Sequence, residues 1–265
     1  MENKYLHFDS AKINYKTCGK GKPVILLHGF GEDSTVWEAQ VKFLQAKYFL
    51  ITPDLPGSGQ SEVLQKENIS LNDYAEVIKA IILAENLSSV MMIGHSMGGY
   101  ITFAFAEKYP DLLSAFGLCH SGAYADDAEK IKTREKSIQF IKENGSSAFL
   151  KTAVPGLFFN QEKSKQDIDL LISKGASISQ EALIQYYTAM LERPDRTSVL
   201  KSFPKPILFI IGEYDKAIPF EHSLQQSHMP ACSLIHILRK TAHMGMKEEP
   251  QRINEILAEF LHSVA

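Results

Sequence analysis

Short apolar runs alternate with amphipathic segments along most of the chain. Such runs are typical of strands buried on both faces of a parallel sheet, and the amphipathic segments are typical of helices that cover a sheet. The alternation therefore predicts an α/β fold with three layers, a mostly parallel sheet flanked by helices. The predicted strands are residues 5–8, 12–16, 24–27, 48–52, 90–93, 112–119, 207–211 and 233–238.

The alternation stops between residues 120 and 203. This segment has a helical pattern and more charged residues, and it carries several aromatic side chains. Pro204 and Pro206 then mark the return to an apolar run. We therefore expect residues 121–203 to form a helical cap inserted into a core made of residues 1–120 and 204–265.

The composition narrows the class of protein. The 265 residues carry a formal net charge of −3, which gives no basic surface for nucleic acid. No apolar stretch approaches the ~20 residues that a membrane-spanning helix needs, and the first residues have no secretory signal pattern. The three cysteines are widely spaced and suit a reducing compartment. We expect a cytoplasmic enzyme with a small-molecule substrate and no stable membrane association, while the oligomeric state stays open.

The most informative stretch covers residues 90–100 and has the sequence V-M-M-I-G-H-S-M-G-G-Y. An apolar strand ends at Gly94-x-Ser96-x-Gly98, and a helical pattern follows. This pattern between a strand and a helix indicates a sharp turn that exposes a nucleophilic serine. The glycines are needed because the turn brings neighbouring backbone too close for side chains. The helix N-terminus favours negative charge beside Ser96, so Ser96 is the candidate nucleophile.

A nucleophilic serine needs an adjacent base, which an acid must orient. Asp215 directly follows the predicted strand 207–211, and His243 lies in a loop after the last predicted strand. In open parallel sheets, ligands bind beyond the carboxyl ends of the strands, which is where both residues are expected. His243 is therefore the candidate base and Asp215 the candidate acid. His120, which also ends a strand, is the rival base, and His95 is expected to point into packing.

Acyl transfer also needs hydrogen-bond donors at the developing oxyanion. The backbone N–H of Met97, directly after the serine, is one candidate. The N–H of Phe30 is the other, because the flanking glycines allow it to turn inward. Aromatic and sulfur-containing side chains predict an apolar substrate pocket under the cap. The candidate pocket residues are Trp37, Phe158, Phe159, Tyr186 and Met244.

Taken together, these motifs resemble those of the α/β-hydrolase fold superfamily over nearly the whole chain. The shared motifs are His28-Gly29-Phe30-Gly31, Asp54-Leu55-Pro56-Gly57-Ser58-Gly59-Gln60-Ser61, the turn Gly94–Gly98, Gly212-x-x-Asp215 with Ile218-Pro219, and His243. The chain departs from many relatives in having Ala242, where glycine often precedes the histidine. Some relatives place the acid after the strand 112–119, so Asp126 or Asp127 is the alternative acid.

The resemblance implies a serine hydrolase of the carboxylesterase type, acting on small apolar carboxylic esters. Relatives with the same three residues are C–C bond hydrolases, thioesterases, amidases, cofactor-free haloperoxidases and menaquinone-pathway synthases. Some plant relatives are ligand-binding receptors with slow residual hydrolysis. Serine at position 96 argues against the members that use an aspartate nucleophile. No His, Cys or Asp cluster has the spacing of metal ligands, so we expect neither a metal nor an organic cofactor.

Overall fold

A computed structural model describes residues 1–264 of the chain. Eight strands form one sheet in the order β1-β2-β4-β3-β5-β6-β7-β8. Strand β2 pairs antiparallel with both β1 and β4, and all other neighbouring strands pair parallel. This arrangement confirms the predicted fold class. The strands are β1 Glu2–Phe8, β2 Ala11–Cys18, β3 Lys22–Leu27, β4 Tyr48–Pro53, β5 Val90–His95, β6 Leu113–Cys119, β7 Ile207–Gly212 and β8 Ser233–Leu238.

Helices cover both faces of this sheet. Their apolar sides bury against the central strands, whose own side chains are almost completely inaccessible to solvent. The helices outside the cap segment are α1 Glu38–Leu44, α2 Leu71–Ala84, α3 Met97–Lys108, α8 Phe220–Ser227, α9 Gly245–Glu248 and α10 Pro250–Ser263. None of the helices in residues 1–264 is long and apolar enough to cross a membrane.

The helix starts show how local sequence fixes the element ends. At α2, Ser70 and Asp73 form a capping box, in which the Asp73 carboxylate accepts the backbone N–H of Ser70 at 2.8 Å. The pattern Thr35-x-x-Glu38 also favours a capping box, but none forms there. The turn there is capped by Asp33, whose carboxylate accepts the N–H of Thr35 at 2.8 Å. A nearby acid therefore takes over the role that the pattern assigned to Thr35.

The segment between β6 and β7 forms helices α4 Ala128–Ala153, α5 Lys165–Gly175, α6 Gln180–Leu191 and α7 Thr197–Ser202. Helix α4 breaks at Gly145, which has a φ of 87°. This is the segment that the sequence predicts as a cap, residues 121–203. Its helices contact the loops at the carboxyl ends of the parallel strands. One such contact is the N–H of His243, which donates to the Leu157 carbonyl at 2.9 Å.

Candidate active site

Ser96 lies at the turn between β5 and α3. Its backbone is strained, with a φ of 50° and a ψ of −116°, which is the conformation that presents a side chain at the tip of a sharp turn. A Cβ at Gly94 would lie 2.4 Å from the Gly98 carbonyl oxygen, and a Cβ at Gly98 would lie 2.6 Å from the His28 carbonyl oxygen. Both positions therefore require glycine because of close backbone approach.

Asp215 and His243 meet beyond the ends of β7 and β8. Nδ1 of His243 lies 2.8 Å from Oδ2 of Asp215. The other carboxylate oxygen, Oδ1, accepts the backbone N–H groups of Ala217 and Ile218 at 2.8 and 2.9 Å. Burial alone would raise the pKa of Asp215, but the facing rings of His243 and His120 hold that pKa well below its usual range. The carboxylate is thus ionised, fixed in orientation and aimed at Nδ1 of His243.

The structure gives the rival residues other contacts. His120 is buried, its Nε2 accepts the N–H of Gly245 at 3.2 Å, and its Nδ1 lies 3.5 Å from Asp215 Oδ2. Burial lowers the pKa of His120 to about 4, against the attraction of Asp215. Asp126 is paired with Arg134 and Arg193 instead of with a histidine. Asp127 caps α4, accepting the N–H of Lys130 at 2.8 Å.

A cavity of about 420 Å³ lies between the sheet edge and the cap helices. Ser96 and His243 line it together, and the apolar part of its wall comes from Phe30, Leu157 and Met190. His243 uses Nδ1 for Asp215, so Nε2 is the ring nitrogen available on the cavity side. A cavity of this size suits a small organic molecule.

The two candidate oxyanion donors lie next to this cavity. Phe30 lines it, and Met97 directly follows Ser96 at the start of α3. Neither N–H donates a hydrogen bond to an acceptor within residues 1–264. Backbone donors left without a partner inside a protein are rare, because each costs free energy. Both therefore stay candidates for binding an anionic oxygen.

The five predicted pocket residues do not line the cavity, so that prediction is corrected. Trp37 and Met244 are fully buried in the core, and Phe158 is 4% exposed. Tyr186 is also fully buried and donates its hydroxyl to the Pro56 carbonyl at 2.7 Å. Phe159 is 41% exposed and packs on another exposed ring. The aromatics that do line the cavity are Phe30, Tyr100 and Tyr187.

A buried ion pair beside the three candidate residues was missed by the sequence reasoning. Nδ1 of His95 lies 3.0 Å from Oε2 of Glu32, and Nε2 lies 2.9 Å from the backbone carbonyl oxygen of His243. Oε2 of Glu32 also accepts the N–H of Gly29 at 2.7 Å. Both ring nitrogens of His95 face acceptors, an arrangement that favours the doubly protonated, cationic ring.

This pair connects three parts of the site. His95 belongs to the serine turn, Gly29 to the loop with the Phe30 N–H, and the carbonyl of His243 to the loop of the candidate base. A signal was present in the sequence, since Glu32 follows β3 and His95 ends β5, two strands that pair in the sheet. Their expected neighbourhood depends on the strand order, which the sequence alone did not provide.

The charges of the pair follow from opposing effects. Burial alone would lower the pKa of His95, but the facing Glu32 carboxylate and the His243 carbonyl raise it on balance. Burial alone would raise the pKa of Glu32, but His95 and the Gly29 N–H lower it on balance. His95 therefore stabilises the fold fully below its ordinary pKa of 6.5, and this contribution is lost as the pH rises through its raised pKa. The contribution of Glu32 is lost only as the pH falls through its lowered pKa.

We expect Glu32→Gln to lower the free energy of unfolding by about 1.5–3 kcal/mol at pH 6, the typical value of a hydrogen bond to a charged group. The difference from the unsubstituted protein should shrink above pH 6.5, because the unfolded state releases its proton there while the folded state still holds the His95 cation up to its raised pKa. Urea unfolding of both proteins between pH 5.5 and 9 measures this difference in the free energy of unfolding. Glu135→Gln, at an exposed position on α4, is the matched control and should show neither effect. A difference independent of pH would contradict the ionised pair.

Fold and site together define a hydrolase. A family model described as alpha/beta hydrolase fold matches residues 22–250, so the chain belongs to this family. In the part of the chain that the structure describes, no group of three or more His, Cys, Asp or Glu side chains is arranged to hold a metal ion.

The chain is similar to proteins with more than one described activity. A thermophilic esterase from Thermogutta terrifontis, solved with malate bound, is 26% identical with a TM-score of 0.90, covering 100% of this chain and 99% of that one. An esterase from Exiguobacterium antarcticum shares the fold at 22% identity and a TM-score of 0.88, over 96% of this chain and 97% of its own. A putative 2-succinyl-6-hydroxy-2,4-cyclohexadiene-1-carboxylate synthase of Bacillus subtilis is 28% identical over 95% of this chain and 96% of its own.

Proposed function

We propose that the protein is a serine hydrolase of small carboxylic esters that reacts through an acyl-enzyme on Ser96. The observation that carries the proposal is the arrangement at the cavity. Ser96 and His243 share its wall, and Asp215 binds the far side of the His243 ring at 2.8 Å. The likeness to the Thermogutta esterase at 26% identity supports ester hydrolysis in particular.

In this proposal, Nε2 of His243 takes the proton of Ser96 as its oxygen attacks the ester carbonyl. The carbonyl oxygen becomes an oxyanion that accepts the N–H groups of Phe30 and Met97. The C–O bond to the alcohol then breaks, and the alcohol leaves with the proton from His243. Water, deprotonated by His243, attacks the acyl-enzyme and releases the acid, and the proton returns to Ser96. Asp215 holds the tautomer of His243 throughout.

A second candidate is a reaction at the same site that is not ester hydrolysis. The likeness to the Bacillus synthase, at 28% identity, favours it. This candidate keeps Ser96 as the reactive residue, so ester turnover is the measurement that distinguishes the two candidates. If the protein hydrolyses none of a panel of phenyl esters although its Ser96 is still reactive, this candidate is favoured over the esterase.

We expect a fluorophosphonate to modify the native protein once, at Ser96, because only this serine has a base positioned by a buried carboxylate. Intact-mass and peptide mass spectrometry measure the number and the place of adducts. Ser96→Ala and the heat-denatured protein serve as controls, and both should remain unmodified. An adduct on any other residue of the native protein, or none at all, would overturn the nucleophile.

A further inference from the structure

Three cations of the cap share one buried carboxylate beside the cavity. The carboxylate of Asp126, whose side chain is fully buried, faces three cations. Nε of Arg134 lies 2.5 Å from Oδ2, Nη2 of Arg193 lies 2.8 Å from Oδ1, and Nζ of Lys130 lies 3.9 Å from Oδ1. One negative charge therefore stands against three positive charges in a half-buried cluster.

The two arginines of this cluster differ in how many of their donors are used. Arg193 donates to the carbonyls of Met190 and Tyr124 as well as to Asp126, and its guanidinium lies 4.1 Å from the centre of the Tyr100 ring. Its hydrogen bonds all lie within the cap segment, and the Tyr100 ring is its contact with the core. In Arg134, only Nε has an acceptor within residues 1–264, and the two terminal nitrogens have none.

Arg134 is also the arginine that lines the cavity, together with Ser96 and His243. Its side chain is 12% exposed, and the guanidinium lies 5.5 Å from the centre of the Tyr187 ring. The acids of the wall do not neutralise it. Glu32 is paired with His95, and Asp127 and Glu129 are exposed to solvent and form no ion pair with Arg134.

A guanidinium with two unused terminal nitrogens at a cavity can bind a further acceptor, and hydrogen bonds between charged groups are the strongest. A carboxylate is its natural complement, since two oxygens accept two parallel N–H groups. We propose that Arg134, with Lys130 beside it, binds an anionic group of the substrate, and that the substrate is an ester carrying a carboxylate. This inference rests on the proposed function and replaces the expectation of a wholly apolar ester. The apolar wall of Phe30, Leu157 and Met190 accommodates the rest of the molecule.

Two pairs of esters test the proposal, each differing by one carboxylate in place of a methyl group. Monophenyl adipate and phenyl hexanoate place the charge on the acyl side, and 4-acetoxybenzoate and 4-methylphenyl acetate place it on the alcohol side. We expect kcat/KM to favour the charged member of at least one pair by about tenfold or more, the free energy of a hydrogen-bonded charge. Arg134→Gln should remove this preference and leave kcat/KM for the neutral ester within about threefold.

Lys132→Gln is the matched control, because it removes one positive charge from an exposed position on the same helix. It should leave the preference intact. Arg134→Lys keeps a charge beside Asp126, so it covers the case in which the glutamine variant does not fold, and we expect it to retain only part of the preference. No preference in either pair, or an equal loss for both members in these variants, would assign Arg134 a structural role only.

Binding separates this proposal from the proposed function. If Ser96 is not the nucleophile, no ester is hydrolysed, yet the subsite still exists. Calorimetry with adipate should then show binding that Arg134→Gln weakens about tenfold and Lys132→Gln does not change. Adipate binding equally to all three proteins, or to none of them, would overturn the subsite independently of any turnover.

Discussion

Replacing Ser96 by alanine is expected to lower kcat for phenyl butyrate by about 10⁵-fold or more, the usual loss when a serine nucleophile is removed. Alanine keeps the backbone turn, since it removes only the oxygen that Ser96 presents at the tip. The candidate donors of Phe30 and Met97 remain in place, so a small residual rate above that in water is expected. Steady-state kinetics with enzyme at high concentration measures both the loss of kcat and the residual rate.

One other serine lines the cavity, Ser137 on α4, and it is the alternative nucleophile to test. If Ser96→Ala keeps its turnover while Ser137→Ala loses it, the nucleophile has been assigned to the wrong residue. If the unsubstituted protein itself turns over esters very slowly and is strongly stabilised by a ligand, the receptor interpretation gains support. Equal unfolding free energies for Ser96→Ala and the unsubstituted protein would show that the loss is chemical.

The sheet was predictable because its central strands are buried on both faces. Runs such as the one that became β5 carry no polar residue until the serine turn, so their pattern indicates a strand directly. The edge strand β1 begins at Glu2, three residues before the predicted start, because Glu2, Asn3 and Lys4 give no apolar signal. Pairing with β2 alone specifies those residues as a strand.

The candidate reactive residues were predictable for a related reason. Ser96, Asp215 and His243 each follow a strand, and parallel strands bring their carboxyl ends to one edge. The residues that line the pocket were not predictable, because the presence of an aromatic residue in the sequence does not reveal which way its side chain faces. Tyr186 and Tyr187 are adjacent on α6 but lie about 100° apart around the helix. The first is buried against Pro56, and the second lines the cavity.

Glu32 and His95 illustrate a second limit. They are 63 residues apart, and nothing in either local pattern names the other. Their contact depends on β3 pairing with β5, a property of the strand order. Arg134 shows the same limit, because only the structure reveals its two unused terminal nitrogens and its place at the cavity. Charge relations between distant residues thus required the structure, while single residues at strand ends did not.

Replacing Asp215 by asparagine is expected to lower kcat by about 10⁴-fold while leaving the fold intact. Oδ1 of Asp215 accepts the N–H groups of Ala217 and Ile218, and the asparagine oxygen takes over that role. The new amide nitrogen must then occupy the position of Oδ2, facing Nδ1 of His243. Two donors cannot face each other, so the His243 ring carries its hydrogen on Nε2 and can no longer accept the proton of Ser96.

The tautomer provides a measurement that a merely structural defect would not change. Nitrogen NMR of labelled histidine should show the hydrogen of His243 moving from Nδ1 to Nε2 in Asp215→Asn, with urea unfolding close to that of the unsubstituted protein. Asp127→Asn is the matched control, because Asp127 only caps α4 and is exposed. Its kcat should stay within a few-fold. If Asp127→Asn or Asp126→Asn instead loses activity by orders of magnitude while Asp215→Asn does not, the acid follows β6 and the histidine is oriented from the cap side.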